Sequence, residues 1–331
     1  MATTPSDKKD LFHALAAKFP EAVHTLGADT KQWAKQAGLA WEIKDSPCAF
    51  TTDGKKINLF EGKRILWRSD TQAPLSVVGR KFQEVQPQTY LDFYGEMAER
   101  YGFKVAVAGS YLGGRVVWAC AETPHALQAM RGDNVSGALF MAGACDGTMS
   151  TRAVFSSFRL RCLNQLPVFF TKRGGVGPRG VMKRTSSVVF SLSHAGKFNP
   201  SRVAQNLELM NETWKAFGEQ VKALQAREVS EQQAIGYFKD LFYKGEEQVL
   251  TREAIEAMNE RHALVNVLRV YEEGEGQKAI TGSAWGLVNA VTRYVDHEVG
   301  AASEQIQFRK AWVDSAGLKQ RAFEAAVDLL G

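Results

Sequence analysis

The stretch Phe103-Lys-Val-Ala-Val-Ala-Gly-Ser-Tyr-Leu-Gly-Gly-Arg-Val-Val-Trp-Ala-Cys-Ala121 decides the fold. Two β-rich runs flank Gly113-Gly114, a pattern that reads as a hairpin. Toward the C-terminus, Val135 to Ala144 reads as a third strand, Asp146-Gly147 as a turn, and Thr151 to Leu163 as the returning strand. Val168 to Thr171 and Ser186 to Leu192 add further extended pieces. Toward the N-terminus, Ser76 to Gly79 and Phe82 to Val85 read as short extended pieces. Gln88 to Tyr101 reads as a helix, with Tyr90, Phe93, Met97 and Tyr101 on one face and Gly102 as its stop. Strand and helix do not alternate, which argues against a doubly wound parallel sheet.

After Asn199 the pattern turns helical. Pro200 suits a first helical position, and Ser230-Glu-Gln-Gln233 is a capping-box pattern. Thr251 opens a third helix to about Tyr271, and Ser283 to Val299 and Ala301 to Leu330 complete the set. The expected class is α+β, an antiparallel β-meander domain followed by a helical domain. Residues 1–60 form an N-terminal arm of short helical signals and loops, in which Trp33 and Trp41 are docking anchors. Residues 61–199 form the antiparallel sheet domain with a basic loop, and residues 200–331 form the helical domain.

Charge is distributed unevenly. From Gly147 to Leu207 there are ten Lys or Arg residues and no Asp or Glu. The whole chain carries +5, so removing these ten leaves −5 on the other 270 residues. Cations without internal partners repel one another, and a polyanion offsets that cost. Within this region, Thr171 to Thr185 holds four glycines, one proline and five basic residues. Lys172, Arg173, Arg179, Lys183 and Arg184 are there placed to reach a phosphate backbone. Gly175-Val-Gly177-Pro-Arg-Gly180 formally matches GxGxxG. However, no helix follows it and Pro178 lacks a backbone donor, so a dinucleotide site is rejected. Just upstream, Arg152, Arg159 and Arg161 lie on a β-rich run with Phe155 and Phe158. Arginines beside aromatics on a sheet suit single-strand binding, although most of these phenylalanines belong in a core.

Other chemistry is weakly signalled. The four cysteines have no CxxC spacing, so reduced thiols are expected. No apolar run approaches the ~20 residues a membrane span needs, and the N-terminus lacks the pattern of a secretory signal. A cytoplasmic protein is expected. No HExxH, nucleophile–base pair or trusted pair of acids is present, and Gly274-Glu-Gly-Gln-Lys278 fails the P-loop spacing. Neither a catalytic residue, a metal site nor a cofactor is assigned.

The segment Thr281-Gly-Ser-Ala-Trp-Gly-Leu-Val-Asn-Ala-Val-Thr-Arg-Tyr-Val-Asp-His297 resembles the signature of the phage- and plasmid-borne family catalogued as domain of unknown function 932. Val85-Gln86-Pro87, Gly132-Asp133, Cys145-Asp146-Gly147, Arg159 to Asn164 and Ser193-His194 match in order. The resemblance covers about residues 65 to 300. Cys145 departs from a usual His, Gln165 from a commoner Thr, and Arg293 from a usual acid. The resemblance implies a mobile-element protein found near replication, recombination or defence genes, and brings no activity. It marks Asn289, Tyr294, Asp296 and His297 as signature residues without a role.

The leading expectation is a non-enzymatic DNA-binding protein, with single-stranded DNA as partner and annealing in recombination or replication as its task. The alternatives are an inhibitor of host defence acting by protein–protein binding, and a nucleic-acid enzyme with an unrecognised site. Homo-oligomers and host protein partners stay open.

Overall fold

The structure, a computed structural model, describes residues 23–25, 29–103, 105–130, 133–159, 164–167, 170–171, 185–186, 188–192, 200–243, 250–300 and 316–331. In chain order its elements begin with β1 (Val23–Thr25), α1 (Thr30–Gln36), β2 (Ile43–Thr51), β3 (Ile57–Arg68), β4 (Pro74–Gly79) and α2 (Pro87–Tyr101). The strands β5 (Val105–Tyr111), β6 (Val116–Met130), β7 (Asp133–Ala144), β8 (Thr151–Arg159) and β9 (Asn164–Pro167) come next. Then come β10 (Phe170–Thr171), β11 (Thr185–Ser186) and β12 (Val188–Leu192). The helices α3 (Pro200–Ala226), α4 (Glu231–Phe242), α5 (Arg252–Glu256), α6 (Ala263–Glu273), α7 (Ala284–Arg293) and α8 (Ala316–Asp328) complete the chain, with a π-helical turn at Tyr294–Glu298. This is the expected α+β order of antiparallel strands followed by helices.

The chain divides into two compact units. The first takes Met1–His125, Gly137–Phe155 and Phe170–Met210, and the second takes Ala126–Ser136, Ser156–Phe169 and Asn211–Gly331. In the first unit, β1 pairs with β5, β5 with β6, and β12 with β8, all antiparallel. The β5–β6 connection is the Gly113-Gly114 turn, and both glycines have positive φ. A separate antiparallel sheet, β2-β3-β4, lies in the same unit. The strand β3 runs through position 60, so the expected N-terminal arm shares a sheet with residues beyond its boundary.

Helix α2 covers the larger sheet. Pro87 starts it, and Gly102 ends it in the left-handed region at φ 70. Its start is tied down by the Gln86 amide, which accepts from the Ile43 N–H (2.8 Å) and donates to the Ile43 carbonyl (3.0 Å). Tyr90, Leu91, Phe93, Tyr94 and Met97 are buried. The Tyr94 hydroxyl sits 3.1 Å from the Ala119 carbonyl and 2.8 Å from the Leu139 carbonyl. Gly143 is required under this helix, because a Cβ there would overlap the Tyr90 and Thr151 hydroxyls. Trp33 and Trp41 are buried anchors as expected. The Arg68 guanidinium lies 4.3 Å over the Trp41 ring.

In the second unit the helices bury single apolar faces against one another. Ser230 and Gln233 close the expected capping box at the start of α4. Phe217 packs beside Phe323, and Phe238 meets Tyr271 edge-on. The Tyr237 hydroxyl donates to the Ala322 carbonyl at 2.6 Å. The expected helix from Thr251 to about Tyr271 is two helices, α5 and α6. His262 caps the second of these by accepting from the Leu264 N–H. No helix among the described residues is long and apolar enough to cross a membrane.

Candidate functional site

The signature segment begins as a tightly bonded loop. The Ser283 hydroxyl donates to the Ile280 carbonyl (2.6 Å) and accepts from the Gly286 N–H (3.2 Å), which caps α7. The Thr281 hydroxyl lies within hydrogen-bond distance of the Tyr271 and Gln277 carbonyls. The Tyr271 hydroxyl accepts from the Gly282 N–H. Gln277 is fully buried and donates to the Gly286 carbonyl at 3.1 Å. A Cβ at Gly286 would overlap the Ile280 carbonyl, so glycine lets loop and helix approach. These hydroxyls and amides satisfy backbone groups, and their work is folding.

Helix α7 is buried at every residue from Ala284 to Thr292. The Asn289 amide donates to the Trp285 carbonyl (2.9 Å), and the Thr292 hydroxyl donates to the Asn289 carbonyl (3.0 Å). At Tyr294 the helix widens, and the Val299 N–H bonds back to the Tyr294 carbonyl at 3.0 Å. Such π-turns often mark functional positions. Within this one, Asp296 is buried and lies 2.5 Å from Lys319 of α8, which is fully enclosed. Burial pulls the Lys319 ammonium below its ordinary pKa, and the adjacent carboxylate pushes it back up.

Of the four signature residues, Asn289 and Asp296 are buried polar groups, Asn289 bonded within α7 and Asp296 paired with Lys319. Tyr294 is half-buried, with its ring edge-on to Phe242. His297 is half-buried. Arg293, the residue at the acid-favouring position, pairs with Glu275 (3.4 Å) and Glu298 (3.7 Å). Strand β9 packs on both α7 and α8. The matched run Arg159 to Asn164 leads into β9, so two separate signature segments converge in the second unit. Lys319 was missed by the sequence reading. Its signal was there: with Ala322, Phe323 and Ala326 it forms the i, i+3, i+4, i+7 stripe of α8, where a lysine is out of place.

The basic candidates are distributed differently. Arg152 is exposed on β8, donates to the Ser150 hydroxyl (3.0 Å), and lies across from Ser191 of β12. The backbone of Arg159 pairs with Asn164. Phe155, on the same β-rich run as these arginines, is fully buried against His125. Arg161, Lys172, Arg173, Arg179, Lys183 and Arg184 lie outside the described residues. On either side of positions 172–184, β10 pairs with β11, with Phe170 opposite Ser186 and Thr171 opposite Thr185. Among the described residues, no group of three or more His, Cys, Asp or Glu side chains could hold a metal ion.

No curated protein and no solved structure matches the chain. A family model does match, over residues 74–315, which takes in the basic stretch and the signature segment Thr281 to His297. The chain is a member of the DUF932 family, a domain of unknown function.

Proposed function

We propose that this protein binds single-stranded DNA through the basic stretch and promotes strand annealing in the recombination or replication of a mobile element, in the cytoplasm. One observation carries the reading: ten cations and no acid between Gly147 and Leu207, in a chain whose remainder is net negative. Phosphates offset such a concentration of charge, and Lys and Arg contacts to them supply sequence-independent affinity. Two structural facts support it. The β10–β11 pair ties both ends of the segment carrying five of those cations. Arg152 adds an exposed guanidinium on β8 of the larger sheet.

The buried seam around Asp296 and Lys319 has the character of a structural centre, because Lys319 is wholly closed to solvent. We therefore assign the reading to binding and not to catalysis. The test is fluorescence anisotropy with a labelled single strand and the matching duplex at two salt concentrations. The reading expects binding to the single strand that weakens steeply with salt. Salt-independent or absent binding overturns it and favours a protein partner.

A further inference from the structure

We propose that the outer half of the β2–β3 hairpin is a second single-strand contact, in which bases stack on Phe50 and Phe60 and phosphates meet Lys55 and Lys56 at its tip. This rests on the DNA-binding reading above and gives that reading a stacking surface.

The observation is a concentration of exposed apolar side chains. Among the described residues six large hydrophobics are exposed, and four of them fall between positions 50 and 60. The register pairs Ala49 with Leu59, Phe50 with Asn58, and Thr51 with Ile57. Strand alternation then puts Phe50 and Asn58 on one face and Ile57 and Leu59 on the other, and Phe60 opens the register shift that precedes Arg64. Phe50 and Phe60 are 49% and 50% exposed, and Ile57 and Leu59 are 71% and 65% exposed. An isolated hairpin gains little stability in water, so four such side chains on its outer half point to a ligand.

Charge identifies the class of ligand. Lys55 and Lys56 sit at the tip, both exposed and without an acidic partner among the described residues. Asp53 is engaged by the Lys55 and Lys56 backbone N–H groups, each at 3.0 Å, which hold its carboxyl below the usual range. Glu61 is the other acid on this half. Lysines are depleted from the cores of protein interfaces, and a tip bearing two lysines opposes insertion into a bilayer. Aromatics flanked by cations over roughly 20 Å of strand are what a single strand requires: stacking for bases and counter-charge for phosphates.

The test compares four proteins by anisotropy with a labelled oligothymidine, each also weighed by light scattering. They are the wild type, Phe50→Ala/Phe60→Ala, Phe50→Tyr/Phe60→Tyr and Ile57→Ser/Leu59→Ser. The alanine pair should bind about tenfold or more weakly, with the salt slope unchanged, because stacking releases no counterions. The tyrosine pair should restore binding, and the serine pair should stay within about twofold of wild type. Equal binding by the alanine pair overturns the proposal. So does a fall in molar mass that accompanies lost binding in both the alanine and serine pairs, since the hairpin would then join copies of the chain. A wild type that binds no DNA overturns the reading beneath it. A wild type whose binding depends on the basic loop but not on Phe50 and Phe60 overturns this inference alone.

Discussion

Lys319 Nζ and Asp296 Oδ1 lie 2.5 Å apart, with both side chains out of solvent. The pair joins the π-turn after α7 to α8, the last helix of the chain. Each ion offsets the other's desolvation, so removing one leaves a buried, uncompensated charge. Lys319→Met alone should destabilise the protein by about 3 to 5 kcal/mol, and Lys319→Met/Asp296→Leu should recover most of that loss. Urea denaturation of the two variants checks this. A single variant as stable as wild type would show that the pair contributes nothing.

Trp285 and Gly286 should be equally intolerant, for opposite reasons. Trp285→Ala empties a buried site and should cost about 3 to 5 kcal/mol. Trp285→Phe should cost less, since the indole N–H, though buried, makes no hydrogen bond among the described residues. Gly286→Ala overfills the contact with the Ile280 carbonyl and should cost about 1 to 3 kcal/mol. Thermal and urea unfolding of the three variants decides it.

Much of this was legible in the sequence. The start and stop of α2, the Gly113-Gly114 hairpin, the Ser230 capping box and the inward face of α7 are local signals that tertiary contacts reinforce. Trp285, Val288, Val291 and Val295 are buried as their spacing requires, whereas Tyr294 is only half-buried. The β2–β3 hairpin was not legible. Its outer half is exposed on both faces, so no period-two alternation marks it, and Pro47, Gly54 and Gly62 make it look like loop. The π-turn was hidden for another reason: one extra residue in a helical turn hardly alters apolar spacing, yet it decides where Asp296 sits. The basic stretch was evident from composition, while most of its side chains lie outside the described residues.

Cys145 provides a pH test. It is buried beside the Asp146 turn, and burial together with that carboxylate pushes its thiol up to about 12. The folded pKa is raised above the ordinary thiol value of about 8.5. Its contribution to stability is therefore complete below about pH 8.5 and is lost as pH rises toward 12. Urea midpoints should fall between pH 8 and pH 10, and Cys145→Ala should reduce that fall. At pH 8, thiol reagents should label Cys48, which is partly exposed, far faster than Cys120 or Cys145.

The central claim is that the cations of the glycine-rich segment meet phosphates. The most direct measurement is the slope of log K against log salt for a single strand, with wild type and with Lys172, Arg173, Arg179, Lys183 and Arg184 all changed to Gln. Each phosphate contact contributes about −0.7 to that slope, so the variant should be flatter by about 2 to 3, allowing for partial contacts. Its unfolding midpoint should stay near wild type, because charged side chains of a glycine-rich segment contribute little to an apolar core. An unchanged affinity and slope in the five-fold variant would contradict the account.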